Sequence, residues 1–296
     1  MLAPMPASPP KKAVMTPLKR TLMLGASAWL AIGTANATDV ELLVPAYFYP
    51  GTHTAEWTQL TDTAARQPLS VIINPDNGAG SAIDASHSAA INALRAAGGK
   101  VYAYVGTDWA ARSFSGLTQE IDRYLDWYAL DGFFVDEVSE YAADLGYFTQ
   151  LADYVRDANP SLGLIGNPGT PTDIGYLNIF DTLVIFEEFA HNFDQFVAPA
   201  YQQQYDASRF GILLHGADAA TMQSVIGGAP AANFGYAFVT DGVHNDNLWQ
   251  SLPSYWDAQT LAALPAVTAP VPEPAPAAML LGGLAVLAAF LRRKHA

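Results

Sequence analysis

Three acids stand where this sequence concentrates its chemistry. Asp136 and Glu137 close the apolar run Gly132-Phe133-Phe134-Val135, and Glu187 closes Leu183-Val184-Ile185-Phe186. A carboxylate directly after four apolar strand residues is costly unless it lies at the strand end facing a polar cavity. Two carboxylates whose pKa values are pushed apart can cleave a glycosidic bond, one protonating the leaving oxygen while the other attacks the anomeric carbon or activates water. On this reading Asp136 is the nucleophile or base, Glu187 the acid, and Glu137 positions or tunes them. The competing reading is structural: one acid caps the next helix and another pairs with a cation. Successive strand residues point to opposite faces, so Asp136 and Glu137 share a cavity only if the strand ends there. Glu188 follows Glu187 directly, and a one-residue slip would exchange the two.

Other polar and aromatic residues fall at the ends of apolar runs. Tyr47, Tyr49, Tyr104 and Trp109 offer rings that can stack on sugar faces or simply fill a core. Asn74, Asn77 and Asn167 can hydrogen-bond hydroxyls or an acetamido group, although Asn-Pro and Asn-Gly are also turn signals. His215 and Asp241 close two further runs and are candidate ligand contacts. Lys and Arg are missing from every one of these ends, which argues against a phosphate cradle. His191, His244 and Asp246 are too sparse for a metal site, and Asp76-Asn77-Gly78-Ala79-Gly80 lacks the twelfth-position Glu of a calcium loop. No metal and no cofactor is expected.

Something must bring these distant residues together. Short runs rich in Val, Ile, Leu, Phe and Tyr predict strands at Glu41–Tyr49, Leu69–Asn74, Lys100–Gly106, Gly132–Glu137, Leu162–Asn167, Thr182–Glu187, Phe210–His215 and Phe234–Thr240. Helical spacing predicts helices at Glu56–Ala65, His87–Ala97, Leu117–Tyr128, Leu145–Ala158, Thr172–Ile179, Asp194–Ala207, Ala219–Ile226 and Asn247–Leu264. The clearest is Leu117-Ile121-Tyr124-Leu125-Tyr128, with Glu120, Asp122, Arg123 and Asp126 between. Eight alternating pairs predict an α/β chain with a single (β/α)₈ barrel over residues 38–264, whose site belongs at the C-terminal strand ends. An open doubly wound sheet is the alternative, but no Gly-x-Gly-x-x-Gly follows the first strand.

Five motifs carry a family resemblance. Leu43-Val44-Pro45-Ala46-Tyr47-Phe48-Tyr49-Pro50, Ile73-Asn74-Pro75-Asp76-Asn77-Gly78-Ala79-Gly80, Asp131-Gly132-Phe133-Phe134-Val135-Asp136-Glu137, Asn167-Pro168-Gly169-Thr170 and Phe186-Glu187 together resemble the spherulation-specific family 4 proteins, in order and spacing from about Glu41 to Asp257. The resemblance implies a (β/α)₈ glycoside hydrolase, with members that cut α-1,4-linked N-acetylgalactosamine or galactosamine-containing polysaccharides. It also implies that Asp136 and Glu137 match the family's Asp-Glu pair and Glu187 its later acid. A non-catalytic carbohydrate-binding or matrix protein on the same barrel is the second reading, and a metal-dependent hydrolase the third.

The chain ends have another purpose. Residues 1–37 contain Lys11, Lys12, Lys19 and Arg20 with no acid, then the apolar run Leu22–Ile32 and Ala35-Asn36-Ala37, the pattern of a secretory signal peptide cut after Ala37. Met15 would open a more ordinary signal. Residues 265–274 form an Ala/Pro linker ending in Pro272-Glu273-Pro274, and residues 275–296 an apolar run closed by Arg292, Arg293 and Lys294. This order resembles a PEP-CTERM sorting signal, which implies a Gram-negative envelope, an exosortase-type processing enzyme and a transient membrane helix; a plain anchor is the alternative.

The 296 residues carry a formal charge of -14 with no Cys, 51% hydrophobic residues and 14% charged ones. That excludes disulfides and a cysteine nucleophile, argues against nucleic acid, and does not suit a disordered polyanion. Of 14 cations and 28 acids, the two ends hold seven cations and one acid, so the body has 7 against 27 and is near -20. A monomeric, exported body acting on a neutral or cationic polysaccharide is expected, since such a field attracts cationic polymers.

Overall fold

The computed structural model describes residues 40–243 and 248–264. The expected signal peptide, linker and sorting helix lie outside them. Among the described residues no helix is long and apolar enough to cross a membrane.

Eight parallel strands close into a barrel in sequence order. They are β1 Glu41–Ala46, β2 Leu69–Ile73, β3 Lys100–Gly106, β4 Gly132–Asp136, β5 Gly163–Asn167, β6 Thr182–Phe189, β7 Phe210–His215 and β8 Tyr236–Val239. All five residues of β2 and all six of β7 are buried, which is why these strands read as continuous apolar runs rather than alternating ones. The doubly wound alternative is therefore overturned, since β1 pairs with β8 and leaves no sheet edge. Gly132 and Gly163 let β4 and β5 approach: a Cβ on Gly132 would lie 2.1 Å from the Gly163 carbonyl oxygen.

Six α-helices lie among the described residues: α1 Thr54–Ala64, α2 Ala85–Ala96, α3 Phe114–Trp127, α4 Leu145–Ala158, α5 Ala219–Gly228 and α6 Trp256–Ala262. Two expected helices are corrected. Thr172–Ile179 holds a 3₁₀ turn, Ile174–Asn178, entered through Asp173, whose side chain accepts from the Gly175 N–H. Asp194–Ala207 is broken into 3₁₀ turns, because Pro199 lacks an N–H and turns its predecessor away from helical angles. The last helix starts at Trp256 rather than near Asn247, after Pro253. With no full helix after β6, a hollow of about 590 Å³ opens on the flank between Phe193 and α5. Asp194 and Asp218 line it, and Asp218 caps α5 through the Thr221 N–H.

α3 buries Leu117, Ile121 and Tyr124 on the barrel, and with them one acid, Glu120. Glu120 accepts from the Ala79 N–H at 3.0 Å and pairs with Arg112 at 2.6 Å. Gly78 has φ +135, and a Cβ there would lie 1.7 Å from the Glu120 Oε1, so only glycine fits. Arg112 also donates to the Gly106 carbonyl at 2.8 Å. One half-buried ion pair thereby fastens the loops after β2 and β3, which border the barrel mouth. At the opposite face, Arg95 grips Asp131 and Lys100 grips Glu41, so these cations are committed at the strand starts.

Candidate active site

β4 ends at Asp136, and the next residue, Glu137, turns left-handed with φ 55. That single turn breaks the alternation of strand side chains and lets both acids line one cavity. Thr107, fully buried, holds the strand end by donating its hydroxyl to the carbonyls of Asp136 at 2.9 Å and Glu137 at 2.7 Å. Asp136 pairs in register with Gly106 on β3 and Asn167 on β5.

Asn167 is the hub. Its Nδ2 donates to the Asp136 Oδ1 at 2.7 Å and to the Glu187 Oε2, while its Oδ1 accepts from the Gly169 N–H at 3.1 Å. A side-chain amide nitrogen carries two hydrogens, so both carboxylates are served at once. A bulge decides which of the tandem glutamates takes part. Between β6 and β7 the register passes from Val184 to Phe186, skipping Ile185, which resets the alternation for the residues beyond. Glu187 then meets Asn167, whereas Glu188 turns its Oε1 onto the Phe189 N–H at 2.7 Å.

The cavity, about 450 Å³, is lined by Trp109, Asp136, Glu137, Asn167, Glu187, Glu188 and His215, among others. Burial, then the charges of Asp136 and Glu188, push the Glu187 carboxyl up to about 7 against the hydrogen bond from Asn167. Burial raises Asp136 as well, opposed by donors from the Glu137 N–H, Asn167 and Tyr104. Asp136 thus has three groups stabilising its anion and Glu187 one, so the shared proton belongs on Glu187.

The remaining predicted residues divide. Tyr104 hydrogen-bonds Asp136, and Tyr47 packs edge-on against it with centroids 5.6 Å apart, so both are close to the acids. Burial raises the phenol of each. His215 is buried at the cavity wall with its ring 4.1 Å from Phe189. Tyr49 does not line the cavity; its hydroxyl donates to Asp84 and Ser86 at 3.1 Å, at the start of α2. Asn74 accepts from the Gly78 N–H at 2.7 Å and Asn77 is left-handed, so these two build a turn. Asp241 accepts from Ser254 and ties the loop after β8. Thr107 and Phe189 are not among the predicted site residues, although the sequence places Thr107 directly after the Gly106 strand end. Among the described residues no three His, Asp or Glu side chains are grouped to hold a metal ion.

A closed barrel of eight parallel strands with a carboxylate pair bridged by an amide at its C-terminal mouth defines the architectural class, and sequence defines the family within it. Residues 41–263 match the model for spherulation-specific family 4, and the chain belongs to that family. It is 30% identical over 281 residues to spherulin-4 of Physarum polycephalum, covering 88% of this chain and 84% of that one. Its fold is that of the crystal structure of Aspergillus clavatus Sph3 in complex with GalNAc, with a TM-score of 0.64 at 22% identity, over 76% of this chain and 98% of that one.

Proposed function

We propose that this protein is an exported glycoside hydrolase that cleaves an amino-sugar polysaccharide of the N-acetylgalactosamine or galactosamine type, with retention of configuration. The observation carrying this reading is the single Asn167 nitrogen shared by Asp136 and Glu187. Two oxygens that accept from one nitrogen are at most roughly 6 Å apart. That suits the short carboxyl separation of double displacement, about 5–5.5 Å, better than the ~6.5–9.5 Å that leaves room for an inverting water. Family membership and the GalNAc in the Sph3 complex support the sugar class.

In this mechanism Glu187 gives its proton to the glycosidic oxygen as the Asp136 carboxylate attacks the anomeric carbon. The leaving sugar departs with a free hydroxyl, and the remaining sugar is held as an ester of Asp136. Glu187, now ionised, takes a proton from water; the oxygen attacks the anomeric carbon and frees Asp136. Export rests on the cationic and apolar first 37 residues, and delivery to the envelope or outside the cell on the Pro-Glu-Pro tail with its exosortase-type processing enzyme.

The test is the purified body on galactosamine-rich polymer, with products followed by anomeric proton resonance. Release of oligosaccharides with retained configuration, abolished in a folded Glu187→Gln, is expected. Wild-type turnover by Glu187→Gln would overturn the assignment of the acid. No release from any amino-sugar polymer, with binding intact, would mark a carbohydrate-binding protein.

A further inference from the structure

One loop at the mouth is held in a conformation that stability alone does not explain. Asp108, Trp109 and Ala110 have φ of 49, 48 and 73, three consecutive left-handed residues without a glycine. Such backbone persists in non-glycine residues only when the surroundings impose it. Trp109 gains no burial in return, since it is 60% exposed and, among the described residues, no aromatic ring pairs with it. It lies instead in the wall of the cavity that holds Asp136, Asn167 and Glu187.

The group that imposes the conformation is Glu137. Its Oε2 accepts from the Asp108 N–H at 2.9 Å and its carbonyl accepts from the Trp109 N–H, also at 2.9 Å. The carbonyl also takes the Thr107 hydroxyl at 2.7 Å. Downstream, the Ala111 N–H reaches the Asp108 carbonyl at 2.8 Å and the Arg112 N–H the Thr107 carbonyl at 3.1 Å, which closes the loop on itself. Glu137 is itself left-handed and directly follows Asp136. The same turn that ends β4 therefore aims one acid into the cavity and uses the next to set the indole at its rim.

We propose that Trp109 is a sugar-stacking platform at the rim of the acid cavity and that Glu137 is the positioning residue that holds it there, rather than a second proton carrier. An exposed indole offers an apolar face of the size of a pyranose ring, whose axial C–H groups pack on aromatic rings. The ligand is a hexosamine unit next to the one being cleaved. This deepens the hydrolase reading and rests on it for the substrate class.

The test combines kinetics with fluorescence. On soluble N-acetylgalactosamine oligosaccharides, Trp109→Ala raises KM about tenfold with kcat changed far less, and Trp109→Phe recovers part of the loss. Glu137→Ala raises KM in the same way, and Glu137→Gln, whose amide oxygen can still accept from the Asp108 N–H, recovers most of it. A proton carrier would instead lose kcat equally in both Glu137 variants, and that result overturns the positioning role. In the Glu187→Gln background the same oligosaccharides change the tryptophan fluorescence, and adding Trp109→Phe removes the change. Unaltered KM in Trp109→Ala together with an unaltered fluorescence response overturns the platform while leaving the hydrolase reading intact. Loss of hydrolysis in the wild type with the Trp109-dependent response retained does the opposite.

Discussion

Asp136 and Glu187, on strands two positions apart in the barrel, share one hydrogen-bond donor, the Nδ2 of Asn167 on the strand between them. The shared donor keeps the two carboxyls close enough for their charges to interact, and burial magnifies that interaction. Most of the expected behaviour of this protein follows from that arrangement.

The pH profile of kcat/KM should fall on the alkaline side near pH 7, where the Glu187 carboxyl, raised by burial and by Asp136, loses its proton. The acid limb should lie above that of an ordinary aspartate, because burial raises Asp136 too. Glu188 contributes to the Glu187 shift, so Glu188→Gln should move the alkaline limb to lower pH. A limb that does not move in Glu188→Gln would contradict the coupling.

Stability should respond to the same proton. Between the ordinary glutamate value and about 7, the folded state keeps a proton on Glu187 that the unfolded chain has released. Stability contributed by this group therefore falls as pH rises through that window. Melting curves of Glu187→Gln and wild type at pH 5 and pH 8 should diverge, with the variant gaining relative to wild type at the higher pH. Parallel curves at both pH values would rule this out.

Asn167→Ala should lower kcat about 10²–10³-fold, the usual effect of losing one preorganised donor at a reacting charge. Asn167→Asp should be at least as damaging, since it places a third carboxylate against two that already compete for protons. Circular dichroism distinguishes these losses from unfolding.

The clamp beneath the mouth should be costly to break. Glu120→Gln removes the charge opposite Arg112, which keeps its bond to the Gly106 carbonyl, and should destabilise by about 1–2 kcal/mol in urea titration. Gly78→Ala meets both the positive φ and the Glu120 oxygen and should cost at least as much. Both should leave the acid pair's pH dependence in place.

Charge should matter to substrate choice. The acidic body attracts a deacetylated, cationic galactosamine polymer, so salt from about 50 to 500 mM should slow its cleavage and leave that of the fully acetylated polymer nearly unchanged. Equal salt effects on both polymers would show that the acidity has no part in capture.

The alternation of apolar runs and amphipathic segments determined the barrel, because strands buried on both faces must be apolar throughout and each needs a crossover before the next parallel strand. It also placed the acids, since Asp136, Glu137 and Glu187 interrupt apolar runs where only a strand end tolerates a charge. Where the sequence pattern misled, local chemistry was the cause: Pro199 and the short 172–179 segment shorten two crossovers to 3₁₀ turns without disturbing the strands they join. The turn residues Asn74 and Asn77 and the outward-facing Tyr49 look the same in sequence as ligand contacts, because a strand end and a turn draw on the same residue types. Only the tertiary structure shows that Glu187 rather than Glu188 meets Asn167, through the register step at Ile185, and that Asn167 joins two acids. Both depend on how neighbouring strands are staggered, and that stagger is a property of paired strands that no single run of residues contains.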